Sequence, residues 1–102
     1  MIKLALFARL EAKPGKETAV ADLLATGLAL ARQEATTPIW FALRLSPTTF
    51  GVFDAFNDEA GRQAHLAGPI AQALAAKTPE LFASPPSIEP IEVLGLKNTG
   101  AV

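Results

Sequence analysis

The sequence predicts an α+β domain of βαββαβ order, built on a four-stranded antiparallel sheet. Three observations predict it. Four stretches rich in aliphatic and aromatic residues are bounded by turn formers, at residues 2–12, 39–45, 49–56 and 88–97. Two stretches of helical period separate them, at residues 16–34 and 57–82. A tight Ser46-Pro47-Thr48 link joins the middle two strands and requires them to run antiparallel.

The first strand puts Leu4, Leu6, Ala8 and Leu10 on one face and Ala5, Phe7, Arg9 and Glu11 on the other. Lys13-Pro14-Gly15 stops it. In the first helix Val20, Leu23, Leu24, Gly27, Leu28 and Ala31 form an apolar stripe that would pack on the sheet. Glycine at position 27 weakens a helix by about 1 kcal/mol relative to alanine, so close packing is its expected reason. Thr36-Thr37-Pro38 ends this helix. On the second strand Phe41, Leu43 and Leu45 oppose Trp40, Ala42 and Arg44. On the third, Phe50, Val52, Asp54 and Phe56 oppose Gly51, Phe53 and Ala55. Both faces are largely apolar, whereas a sheet with one wet face alternates apolar and polar. Helices can cover one face; a second copy of the chain is the expected cover for the other, giving a homodimer of stacked sheets.

Asn57 is the expected N-cap of the next helix, with Asp58 and Glu59 in its first turn. Gly68-Pro69 ends that helix and starts another, which Thr78-Pro79 is expected to interrupt. Pro85 and Pro86 stiffen the connector, and Pro90 marks the last strand as an edge strand or a bulge. Residues 1–97 form one domain of ferredoxin-like type, and 98–102 are expected to be a flexible tail.

Composition narrows the function. The net charge of −1 gives no basic field for nucleic acid. With no cysteine and one histidine, disulfides and thiolate metal sites are excluded and a transition-metal site is not expected. No apolar run approaches the roughly 20 residues of a membrane span. The opening MIKLALFARLEAK alternates like a strand and lacks the continuous apolar core of a signal peptide. A soluble, cytoplasmic protein is the expectation.

The stretch FGVFDAFNDEAGRQAH, from Phe50 to His65, carries a family resemblance. An acidic residue late in the third strand (Asp54), an aromatic two residues on (Phe56), an acidic helix start (Asn57-Asp58-Glu59) and a histidine (His65) follow one another. The pattern resembles the antibiotic biosynthesis monooxygenase family, quinol-monooxygenase-like proteins that form dimeric α/β barrels. The resemblance spans residues 2–97. It implies oxidation of a phenolic or quinol compound by O₂ without metal or flavin. The haem-degrading relatives carry an asparagine on the first strand and a tryptophan near the helix start; here the strand has no asparagine and Phe56 stands at the second place.

Within that resemblance His65 is the candidate general base, because histidine alone has an ordinary pKa near neutrality. Deprotonating a quinol gives an electron-rich anion able to pass an electron to O₂. Asp54 is the second candidate catalytic residue, either orienting His65 or pairing with Arg44 on the neighbouring strand. Trp40, Phe53, Phe56 and Phe7 are candidates for walls that stack on a small aromatic molecule, with Arg44 a candidate to hold its oxygen. The competing reading is a non-catalytic binder of a small aromatic ligand, or a structural dimer, on the same fold.

Overall fold

The computed structural model describes residues 1–97, so the tail expected over 98–102 lies outside the described residues. The elements are β1 (Leu4–Glu11), α1 (Glu17–Ala31), β2 (Ile39–Arg44), β3 (Thr49–Phe56), α2 (Glu59–Leu66), α3 (Pro69–Leu81) and β4 (Ser87–Glu92). The strands lie in the order β2-β3-β1-β4, and every neighbouring pair is antiparallel. This is the α+β, ferredoxin-like βαββαβ topology, with its second helix in two pieces.

The register fixes which residues face the helices. Asp54 lies opposite Leu6 on one side and Trp40 on the other, so these three share a face. Leu10, Val20, Phe50 and Val52 are buried at 0–3% exposure and belong to the core cluster with Leu24 of α1. A Cβ on Gly27 would lie 3.3 Å from the Trp40 ring. The glycine that weakens α1 as an isolated helix therefore lets it sit close on β2.

Several boundaries differ from the sequence reading, and four of the differences have a local reason. Helix α1 ends at Ala31 rather than 34, because Gln33 and Glu34 donate their N–H groups to Leu30 and Ala31 in tight three-residue turns, at 3.0 Å each. Asp58, not Asn57, caps α2; its carboxylate accepts from the Gly61 N–H at 2.8 Å. Helix α3 runs through Pro79, since a proline so near the helix end removes a single hydrogen bond. Strand β4 stops at Glu92 rather than 97, because β1, its one neighbour among the described residues, begins at Leu4 directly opposite. Its edge position agrees with Pro90.

The face away from the helices carries Phe7, Phe41, Leu43 and Phe53, with the Phe41 and Phe53 rings 6.3 Å apart. Phe41 is 53% exposed. Among the described residues no helix is long and apolar enough to cross a membrane.

Candidate functional site

Helices α2 and α3 sit over β1, β3 and the edge strand β4, and small side chains here leave a cavity of about 360 Å³. Ala8, Ala71 and Ala75 face it where larger residues would fill it. Leu6, Val52, Ile70, Leu74 and Ile88 make the rest of the wall aliphatic, and Pro85 and Pro86 border one side. Two ionisable side chains line this apolar space, Asp54 from β3 and His65 from the last turn of α2.

The two touch. His65 Nε2 lies 2.8 Å from Asp54 Oδ2, and both side chains are nearly inaccessible, at 6% and 4% exposure. A third residue completes the cluster. Glu34, from the loop after α1, places Oε1 2.8 Å from His65 Nδ1. The Thr37 hydroxyl donates to the same Glu34 oxygen at 2.9 Å and holds it. The loop reaches α2 because residue 61 is glycine: a Cβ there would lie 3.0 Å from the Thr36 carbonyl oxygen. Phe56 backs the imidazole, its ring centroid 5.5 Å away.

Proton counting follows from this geometry. Each of two carboxylate–imidazole contacts needs one hydrogen, so the three groups hold two protons. These are divided as an imidazolium between two carboxylates or as a neutral ring beside one carboxylic acid. Either way the cluster carries one negative charge. Burial pushes the Asp54 carboxyl above its ordinary range and the nearby Glu34 charge adds to this, against the pull of His65. Burial draws the His65 imidazolium down, but hydrogen bonds and attraction from Asp54 and Glu34 outweigh it and hold the pKa above the ordinary value. With both ring nitrogens engaged, His65 has no free nitrogen to take a proton from a ligand. Among the described residues three buried side-chain atoms have no hydrogen-bond partner, Asp54 Oδ1, Glu34 Oε2 and Trp40 Nε1, and of these residues Asp54 is the one that lines the cavity. A buried carboxylate oxygen left unpaired is costly, which is the signature of a place kept for a donor.

The sequence-predicted residues divide into groups. Asp54 and His65 come together in the cavity. Phe56 is fully buried behind His65 and does not line it. Trp40 shares the helix-facing side of the sheet but stands beyond the cluster, where it borders an outer cleft with Glu34, Thr37 and Arg32. Phe7 and Phe53 are on the opposite face of the sheet, because neighbouring strand positions alternate and Asp54 faces the helices. Arg44 does not pair with Asp54. It lies opposite Phe50, its guanidinium is 4.6 Å from that ring's centroid, and it donates to the Pro47 carbonyl. The expected aromatic pocket is thus an aliphatic one. Glu34 is the residue that sequence reasoning missed. Its one local signal is a carboxylate just past the C-terminus of α1, where the helix dipole disfavours negative charge. Among the described residues no group of three or more His, Asp or Glu side chains is placed to hold a metal ion.

No family model matches the chain, and no curated protein does. Solved structures do. A Nitrosomonas europaea protein of unknown function is 60% identical, with a TM-score of 0.94 over 99% of this chain and 98% of that one. A second protein from that organism, described as a "putative antibiotic biosynthesis monooxygenase", matches at 15% identity and a TM-score of 0.80, over 90% of this chain and 99% of its own. A Deinococcus radiodurans protein described in the same words matches at 20% identity and a TM-score of 0.77, over 96% and 99% of the two chains. At these lower identities the likeness is one of fold.

Proposed function

Because the chain belongs to the same family as the 60%-identical Nitrosomonas europaea protein and shares the fold of the antibiotic biosynthesis monooxygenases, we propose that it oxidises a small phenolic or quinol compound with O₂, without a cofactor. The observation that carries this reading is Asp54, with its unpartnered Oδ1, among the residues lining an otherwise aliphatic cavity. A cavity of about 360 Å³ suits a compact ring system. A ligand hydroxyl donates to Asp54 Oδ1, and the carboxylate takes its proton as general base while His65 stabilises the state from the other oxygen. The resulting oxyanion is electron-rich, and the apolar wall keeps water from stabilising it. It passes an electron to O₂; the ligand radical and superoxide recombine at a ring C–H carbon as a hydroperoxide, and loss of water leaves a carbonyl there. One oxygen atom enters the product and the other leaves as water, with four electrons drawn from the substrate.

The sequence reading gave the base to His65. In this proposal Asp54 takes that role and His65 is its partner, a reading supported by the carboxylates on both imidazole nitrogens. The homodimer also belongs to this proposal. Phe7, Phe41, Leu43 and Phe53 form an apolar sheet face that a second copy would cover. The alternative, a binder without turnover, is favoured by the aliphatic rather than aromatic lining. Oxygen uptake by metal-free protein over a panel of quinols and polyphenols separates the two. Uptake lost in both Asp54→Asn and His65→Ala supports the enzyme. Ligand binding with no uptake supports the binder.

A further inference from the structure

Among the described residues lining the cavity only Asp54 and His65 are ionisable, with no lysine or arginine beside them. His65 is committed on both ring nitrogens, to Asp54 Oδ2 and Glu34 Oε1, at 2.8 Å each. No lysine or arginine among the described residues pairs with either carboxylate; the remaining ion pairs are Arg62–Glu59 and Lys77–Glu80. The second oxygen of Glu34, Oε2, is buried without a hydrogen-bond partner. The cluster's one negative charge therefore stands uncompensated beside an aliphatic space, where low polarity lets it act at a distance. Glu34 is the source of that charge. Without it the same count gives zero, because an aspartate and an imidazolium cancel. The Glu34 charge is felt at the residue that lines the cavity, since it helps to hold the Asp54 carboxyl above its ordinary range.

We infer that Glu34 sets the charge selectivity of the cavity, so that its ligand is an uncharged hydroxylated ring whose other substituents are neutral, with no carboxylate, sulfate or phosphate group. The inference rests on the proposed function for taking the cavity as the ligand site, and it narrows the class of phenol or quinol admitted there. Glu34 does not line the cavity; it acts through His65 and is a specificity-determining residue. An acid group in this cavity would find no cation to pair with, which is costly by itself, and Glu34 adds repulsion. The proposed proton transfer sets the same limit. The ligand O–H bond breaks, its electrons stay on the ligand oxygen, and the proton goes to Asp54. The cluster then holds three protons and is neutral. The oxyanion is the single negative charge left in the site, whereas a ligand that entered as an acid anion would bring a second.

Two probes of nearly the same shape differ in charge, 4-hydroxyacetophenone and 4-hydroxybenzoate. Calorimetric titration at about pH 6, where carboxylic acids are ionised and phenols are not, gives the dissociation constant of each. The wild type binds 4-hydroxyacetophenone about a hundredfold more tightly than 4-hydroxybenzoate. Glu34→Gln keeps the size of the side chain and a hydrogen-bonding group but removes the charge. In that variant the preference falls about tenfold, through tighter binding of 4-hydroxybenzoate. A merely structural role would weaken both probes together and leave their ratio as it was. An unchanged ratio in Glu34→Gln overturns the inference, and so does a wild type that binds the two probes equally or binds neither. If Glu34→Gln does not fold, Asp54→Asn removes the same single charge from the cluster, and an unchanged ratio there overturns the inference equally. Selective binding with no oxygen uptake would instead remove the oxidation and leave the charge selectivity standing.

Discussion

Raising the pH from about 6 to about 8.5 should destabilise this protein, and the site gives the sign and the cause. The relevant group is His65, whose folded pKa stands above its ordinary value of 6.5. A group with a raised folded pKa contributes stability that is fully present below the unfolded pKa and is lost as pH rises through the folded one. The loss therefore begins near pH 6.5 and continues upward to the folded pKa. Within that window one extra proton is bound by the folded chain, so stability falls by up to about 1.4 kcal/mol per pH unit. Against a typical total of about 5–15 kcal/mol, a slope of that size is measurable. The chain has one histidine and no cysteine, so besides the terminal amine His65 is the only group with an ordinary pKa in this range. Urea unfolding at fixed protein concentration across the range gives the slope directly. His65→Gln should flatten it. A wild-type profile that is flat between about pH 6 and 8.5 would refute the idea that folding takes a proton into the Asp54–His65–Glu34 cluster.

Three further outcomes are expected. Asp54→Asn should lower turnover at least a hundredfold, a general-base loss of about 2.7 kcal/mol or more, and should let the His65 NMR titration move down toward its ordinary pKa. Ala75→Phe, at an exposed position on the cavity's rim, should block the cavity and abolish binding of a test phenol in a fluorescence or calorimetric titration, while changing stability by no more than about 0.5 kcal/mol. Charges on the two sheet faces should act differently: Val52→Asp, at 3% exposure, should prevent folding, whereas Leu43→Asp should leave a folded chain that runs as a monomer in analytical ultracentrifugation.

Much of the architecture can be read from local pattern. The apolar runs in residues 4–11 and 49–56 give the strands, whose two-residue repeat gives their faces, and Pro47 and Pro69 give the turn and the helix start. The pairing of Asp54 with His65 was legible as a possibility, because a carboxylate on an apolar strand needs a partner. Its choice of partner was not, since Arg44 and His65 are both close in sequence and only the register places Arg44 opposite Phe50. Glu34 was hidden for a stronger reason. It lies 31 residues from His65 in sequence, on a loop whose path depends on the close approach at Gly61. The aromatic wall failed through parity: Phe7 and Phe53 look like pocket residues by type, yet they lie on the other face from Asp54.

The most direct test of the central claim is the fate of isotopically labelled O₂ with metal-free protein and a quinol that it consumes. The account predicts one labelled oxygen atom in the product and the other in water, with both lost in Asp54→Asn. Unlabelled product with hydrogen peroxide released, or labelling that survives in Asp54→Asn, would contradict it.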